Sequence, residues 1–204
     1  NQTALTDVSN RSNGDAFKIL ITTVLSHRTK DEVTSMASER LFAEYPDVAS
    51  LAKADINKVA ELIKPVGFYR VKARNLTKIS QVLRERYGGA VPEAMEDLLS
   101  LPAVGRKTAN CVLVYAFRKP AIPVDTHVHR ISNRLGLVHT NAPEETEERL
   151  TESVDRQYWL DLNDLFVRFG QSICKPMKPR CDICTLTGDC EYYQQVTASK
   201  FGIA

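Results

Sequence analysis

Four cysteines stand close together near the C-terminal end: Cys174, Cys181, Cys184 and Cys190, spaced C-x6-C-x2-C-x5-C. Sulfurs this near one another in sequence can be gathered by one tight loop around one centre, which constrains that end of the chain more than any apolar pattern does. Two disulfides are the competing use. They suit a secreted chain, and Asn1-Gln2-Thr3-Ala4 opens no basic-then-apolar segment of the secretory kind. Structural zinc and a [4Fe–4S] cluster both accept four cysteines, and the Cys181-x2-Cys184 pair suits either. Lys175, Lys178 and Arg180 lie between the first two cysteines. A cationic loop stapled by a metal centre would offer a rigid basic edge to a phosphate backbone; alternatively, these cations only offset four thiolates. Cys111 sits in an apolar helical context and reads as a buried core thiol.

The rest of the chain reads as helix. Ala16 to Leu25 is an apolar helix. Val33, Met36, Ala37, Leu41 and Phe42 form a helix stripe, as do Ile56, Val59, Ala60 and Ile63 before Pro65 and Gly67 break the run. A further helix is predicted from Asn75 to Tyr87, stopped by Gly88-Gly89. Pro92 is expected at the first position of a short helix ending at Ser100. No run alternates with period two, so essentially no sheet is expected and the fold class is all-α. The 204 residues suffice for one large domain or two small ones. No stretch approaches the roughly 20 apolar residues of a membrane span.

Net charge is only +2, but it is segregated. Lys64 to Arg86 holds seven Lys/Arg and one acid, Leu101 to Arg134 six and one, whereas Glu144 to Asp164 holds eight acids and two bases. A basic footprint on one side is what phosphate binding requires; solvated helix faces are the plainer reading.

Leu101-Pro102-Ala103-Val104-Gly105-Arg106-Lys107-Thr108-Ala109 follows one short helix and precedes an apolar one bearing Ala109, Val112, Leu113 and Ala116. Gly105 would let the backbone turn tightly and approach a partner. The first N–H groups of the next helix, with its dipole, would make an anion site. The segment thus reads as a helix–hairpin–helix holding a DNA phosphate without reading sequence, or as an ordinary helical joint. A nucleotide P-loop would need glycine where Leu101 and Arg106 stand and is rejected. Beyond it, Asp125 stands where a new helix should begin, as an N-cap worth about 1 kcal/mol. His127 and His129 are two apart, so a helix points them to different faces and neither is taken as a metal ligand.

The hairpin segment through Asn110, then Val124-Asp125-Thr126-His127, then the cysteine loop, in that order over about Asp15 to Tyr192, resemble the endonuclease III family of helix–hairpin–helix DNA glycosylases. That resemblance implies a two-lobed all-α fold: a barrel over 9–119, and a cluster domain of 1–8 plus 120–204. The family's first helix is expected to be largely absent. Lys107 and Asp125 match the catalytic lysine and aspartate and are expected to face each other across the cleft between the lobes. The four cysteines are expected to hold a [4Fe–4S] cluster rather than zinc. Implied DNA contacts are Arg28, Phe68, Leu101, Pro102, Ala103, Val104, Gly105, Arg106 and Lys178; Ser26, Asp31 and His127 are expected at the base pocket. Arg28 and Phe68 would stabilise the stack vacated by a flipped nucleotide, and both depart from the residues of bacterial relatives, as Ala103 does from the usual hairpin glycine. The implied activity is a glycosylase with lyase action on oxidised pyrimidines in duplex DNA, by a monomer without membrane attachment, inside the cell at cytoplasm or nucleoid. Three other readings are weighed: a mismatch-specific glycosylase, whose members generally lack a lysine at position 107; a non-catalytic hairpin module; and an electron carrier built on the cluster.

Overall fold

The computed structural model describes residues 3–201. Twelve α-helices and no strand are found among them. The chain divides between Ala121 and Ile122 into two compact units.

The first unit is built around α2 (Ala16–Ser26), where eight of eleven residues are buried. A helix apolar on every side must be surrounded, and α2 packs against α1 (Ala4–Arg11), α3 (Asp31–Glu44), α6 (Tyr69–Arg86) and α8 (Arg106–Tyr115). Its two buried threonines are satisfied, Thr22 by the Ser38 hydroxyl and Thr23 by the Ile19 carbonyl. The short helices α4 (Val48–Ala52) and α5 (Ile56–Leu62) cover α6, and α7 (Met95–Leu99) packs on α8. Ile19, Leu20, Leu25, Leu41, Leu76, Ile79 and Leu98 are fully enclosed. Each contributes about 1.5–3 kcal/mol of burial, so the ends of α2, α6 and α8 rest on a firm core.

Three features differ from the sequence reading. α1 was not anticipated: it is short and mostly polar, but Thr3 caps it by accepting from Thr6 N–H, and Arg11 pairs with Asp7 at 2.9 Å. It packs on α2, α3 and α8, so it belongs with the first unit rather than with the cysteine loop. α6 begins at Tyr69, not Asn75, because Phe68 turns the chain directly into it. Pro92 lies outside α7, which starts at Met95 after the extended N-cap Ala94; Val91, just before Pro92, is held in the core.

The second unit has a smaller core of Ile122, Val124, Val128, Val138, Leu150 and Leu162, flanked by Val154, Trp159 and Phe166. Within it, α9 (Thr126–Leu135) packs against α10 (Pro143–Ser153), α11 (Trp159–Ser172) and α12 (Glu191–Phe201). Cys111 is fully buried in the first unit, as a core thiol should be.

Candidate active site and cysteine loop

In the first unit, α7 and α8 are joined by the turn through Leu101 to Gly105. Leu101 and Val104 are buried, at 2% and 7% exposure, and staple the turn to the core. Their side chains are therefore committed to the core and leave mainly backbone at the surface there. Tyr87 braces the turn from outside, donating to Asp97 and meeting the Ser100 hydroxyl, both at 3.1 Å. The exposed edge consists of Ala103, Gly105 and Arg106.

The turn also corrects the reading of its glycine. Gly105 is extended, with φ −102° and ψ −179°. The left-handed residue is Ala103, at φ 59°, which costs an alanine about 1–2 kcal/mol. Gly105 is the N-cap of α8 and offers no side-chain cap. A Cβ placed on it would meet nothing within 4 Å. Glycine is among the favoured N-cap residues, and here it leaves the start of α8 open to close approach.

Lys107 lies in the first turn of α8, half-buried, and its ammonium has no hydrogen-bond or ion-pair partner among the described residues of its unit. Beside it, Thr108 Oγ1 meets His27 Nε2 at 3.1 Å, joining the start of α8 to the end of α2. Burial, then Lys107 and then Lys72, push His27 down to about 4, so its ring is neutral at physiological pH.

Past His27 the chain enters Arg28 in the left-handed region, φ 52°; facing it, Phe68 is also left-handed, φ 58°, and 64% exposed. The Arg28 guanidinium lies 5.9 Å from the Phe68 ring centre. The backbone of the Arg28 loop and Gly67 are nearly in contact: a Cβ on Gly67 would stand 3.1 Å from the Arg28 carbonyl oxygen. Beneath this loop, Lys72, only 6% exposed, donates to the carbonyls of Leu25 at 2.8 Å and His27 at 2.6 Å and to Thr29 Oγ1 at 3.2 Å. Burial draws its pKa down to about 8. Sequence reasoning counted Lys72 among a basic footprint; the other six cations of that stretch are exposed. The Ser26 hydroxyl is occupied by the Thr23 carbonyl, and Asp31 stands in the first turn of α3, where the helix dipole favours an acid.

In the second unit, Asp125 caps α9. Its Oδ1 accepts from His127 N–H at 2.9 Å and Val128 N–H at 2.8 Å. Both cap bonds fall on that one oxygen. His127 lies against Gly170, where a Cβ would collide with the imidazole ring. Its Nδ1 accepts from the Arg130 guanidinium at 3.1 Å, while His129 Nδ1 meets the Thr146 hydroxyl at 2.6 Å. The two imidazoles do face different helices.

All four cysteines are free thiols lining one cavity, together with Leu135, Phe169, Ile173 and Tyr192. Among the described residues no three His, Cys, Asp or Glu are grouped as ligands of a single ion. Burial, then Cys184, Cys174 and Cys190, push the Cys181 thiol up. The loop is held from α9. Arg134 donates to Cys174 Sγ at 3.4 Å and to the Lys175 and Pro176 carbonyls at 2.7 and 2.8 Å, and stacks 4.5 Å from the centre of Tyr192. Arg130, its pKa lowered by burial, donates to the Cys174 carbonyl at 2.8 Å. Lys175, Lys178 and Arg180 are exposed on the loop, with Lys178 left-handed at φ 52°.

Residues 21–156 match the model of the HhH-GPD superfamily of base excision DNA repair proteins. The chain is 52% identical over 186 residues to endonuclease III of Thermotoga maritima, covering 91% of this chain and 87% of that protein. The chain belongs to the endonuclease III family. Among solved structures, a trapped endonuclease III–DNA covalent intermediate superposes with a TM-score of 0.85 at 32% identity, covering 95% of both chains. A thermostable thymine-DNA glycosylase matches with a TM-score of 0.81 at 28% identity, covering 94% of both. The endonuclease III complex and the thymine-DNA glycosylase thus both share the fold of this chain. No helix among the described residues is long and apolar enough to cross a membrane.

Proposed function

We propose that this protein is a bifunctional DNA glycosylase and abasic-site lyase of base excision repair, acting inside the cell on oxidised pyrimidines in duplex DNA. One observation carries the reading: Lys107, an amine without a hydrogen-bond or ion-pair partner among the described residues of its unit, stands in the first turn of a helix that has no side-chain cap and whose N-cap Gly105 faces open space. The hairpin would bind a phosphate through its N–H groups and so bring the sugar next to the amine. Four of the six left-handed non-glycine residues, Arg28, Phe68, Ala103 and Lys178, are positions that the family resemblance assigns to DNA contact, and backbone strain gathers where function over-determines the chain.

The nucleotide must leave the stack before its sugar can be reached. Lys107, as the free amine, would attack C1′; the bond from C1′ to the base breaks, and the base departs with the electron pair and takes up a proton. Loss of the amine proton and opening of the sugar ring give an imine between Lys107 and C1′. Removal of a C2′ proton then expels the 3′ phosphate, which nicks the strand. Asp125, with Oδ1 committed to the cap, would turn its other oxygen toward positive charge developing on the sugar, and act in proton transfer second.

The cysteine cavity fits a [4Fe–4S] cluster held by Cys174, Cys181, Cys184 and Cys190. Those four cysteines would hold the cluster, which would brace the loop so that Lys175, Lys178 and Arg180 offer a basic edge to a DNA backbone. The mismatch reading is favoured only by the shared fold with the thymine-DNA glycosylase.

Duplexes carrying one thymine glycol or one G·T mismatch separate the two. The wild type is expected to nick the first and leave the second intact. Asp125→Asn retains an N-cap residue, so its thermal midpoint should hold while excision falls at least about 100-fold. Excision from the mismatch alone, or an Asn variant as fast as the wild type, overturns the proposal.

A further inference from the structure

The buried ammonium of Lys72 has no carboxylate among its hydrogen-bond partners; all three acceptors lie on the short segment from Leu25 to Thr29. A buried position of α6 would ordinarily be apolar, and a cation there carries a desolvation cost that neutral acceptors offset only in part. Burial has already drawn its pKa down to about 8. What the cation holds is specific. Leu25 and His27 end α2, where a helix presents unpaired carbonyls and the negative end of its dipole. Between the last two acceptors stands Arg28, in a left-handed backbone conformation that a residue with a Cβ adopts only at a cost. The Thr29 hydroxyl, which Lys72 also grips, returns to the His27 carbonyl at 3.2 Å. From the other side, Gly67 lets the backbone before Phe68 come against the Arg28 carbonyl.

We infer that Lys72 is a positioning residue for base extrusion: its ammonium clamps the Leu25–Thr29 segment so that Arg28 stays left-handed against Phe68, presented as a preformed pair to the DNA stack. The inference deepens the glycosylase reading and rests on it. The clamp acts before any bond is broken. It spares the complex the ordering of Arg28 and Phe68 at the moment of binding, so its loss shows in extrusion of the nucleotide. A residue serving stability alone would lower the melting point without any link to Arg28.

The test uses single-turnover excision from a thymine glycol duplex, with 2-aminopurine beside the lesion reporting unstacking. Lys72→Met keeps the length and removes the charge. It is expected to slow excision about 10- to 100-fold and to lose most of the 2-aminopurine signal. Where Arg28→Ala is already present, Lys72→Met should slow excision less than about threefold further, because both changes remove one unit. Gly67→Ala retains Lys72 and presses on the Arg28 carbonyl; it should reproduce the loss of signal, and it carries the test if Lys72→Met does not fold. Full multiplication of the Lys72 and Arg28 effects, or a wild-type signal in both Lys72→Met and Gly67→Ala, overturns the inference. A wild-type protein inactive on the lesion would instead bring down the glycosylase reading itself.

Discussion

The hairpin turn and the cysteine loop are both exposed edges bearing cations, and they are held by opposite means. The turn at Leu101–Gly105 is anchored by side chains driven into the core, with α7 and α8 packed on each other and Tyr87 bracing the outside. From 171 to 190, by contrast, no residue is buried. That segment is held by two arginines of α9, a few backbone bonds such as Arg180 N–H to the Ile173 carbonyl at 2.9 Å, and four sulfurs around one cavity. Apolar burial fixes the first edge whether or not anything is bound. The second would depend on the centre proposed for its four cysteines, since ligation of that kind is folding free energy.

The largest effect that would break this contrast is loss of the cysteine centre. Cys184→Ser, or stripping iron with a chelator, should lower hydrogen-exchange protection of the Arg180 and Cys184 amides by about 100-fold or more. The Ala109 amide at the hairpin should change less than about threefold. Equal loss at both edges, or none at the loop, would show that the two are not held differently.

A smaller effect sharpens the hairpin side. His27 is neutral in the fold, its pKa near 4 against an ordinary 6.5. Between those values the unfolded chain binds more protons, so stability present above pH 6.5 is lost as pH falls toward 4, by at most about 3 kcal/mol. Urea midpoints measured from pH 7 to 4.5 should fall less steeply in His27→Gln than in the wild type; identical slopes would remove His27 from the account.

Much of this architecture is readable in the sequence because its signals are local. The apolar run of α2 and the Asp125 cap need only their neighbours in the chain, and the cysteine spacing carries its own geometry. What escaped was tertiary. Lys72 looks like any cation on a solvated face until α2 ends beside it. Leu101 and Val104 read as part of a contact motif, while the core claims their side chains. Ala103, rather than Gly105, bends the hairpin backward, because a chain pinned at both 101 and 104 must turn between them. α1 carried a legible cap in Thr3 and a legible Asp7–Arg11 pair, but its polarity hid it.

The smallest effect follows from that turn. Ala103→Gly relieves a left-handed alanine and should stabilise the protein by about 0.5–1 kcal/mol, less the added entropy of the unfolded chain. A rise of the thermal midpoint by a few degrees is expected; a fall would mean that the alanine methyl contributes packing at the exposed edge.

The account stands most directly on the nucleophile. The protein should be incubated with a thymine glycol duplex under borohydride, the adduct digested, and the modified peptide sequenced by mass spectrometry. The account predicts a covalent sugar adduct on Lys107, absent in Lys107→Ala. An adduct on another amine, or undiminished trapping by Lys107→Ala, would contradict it.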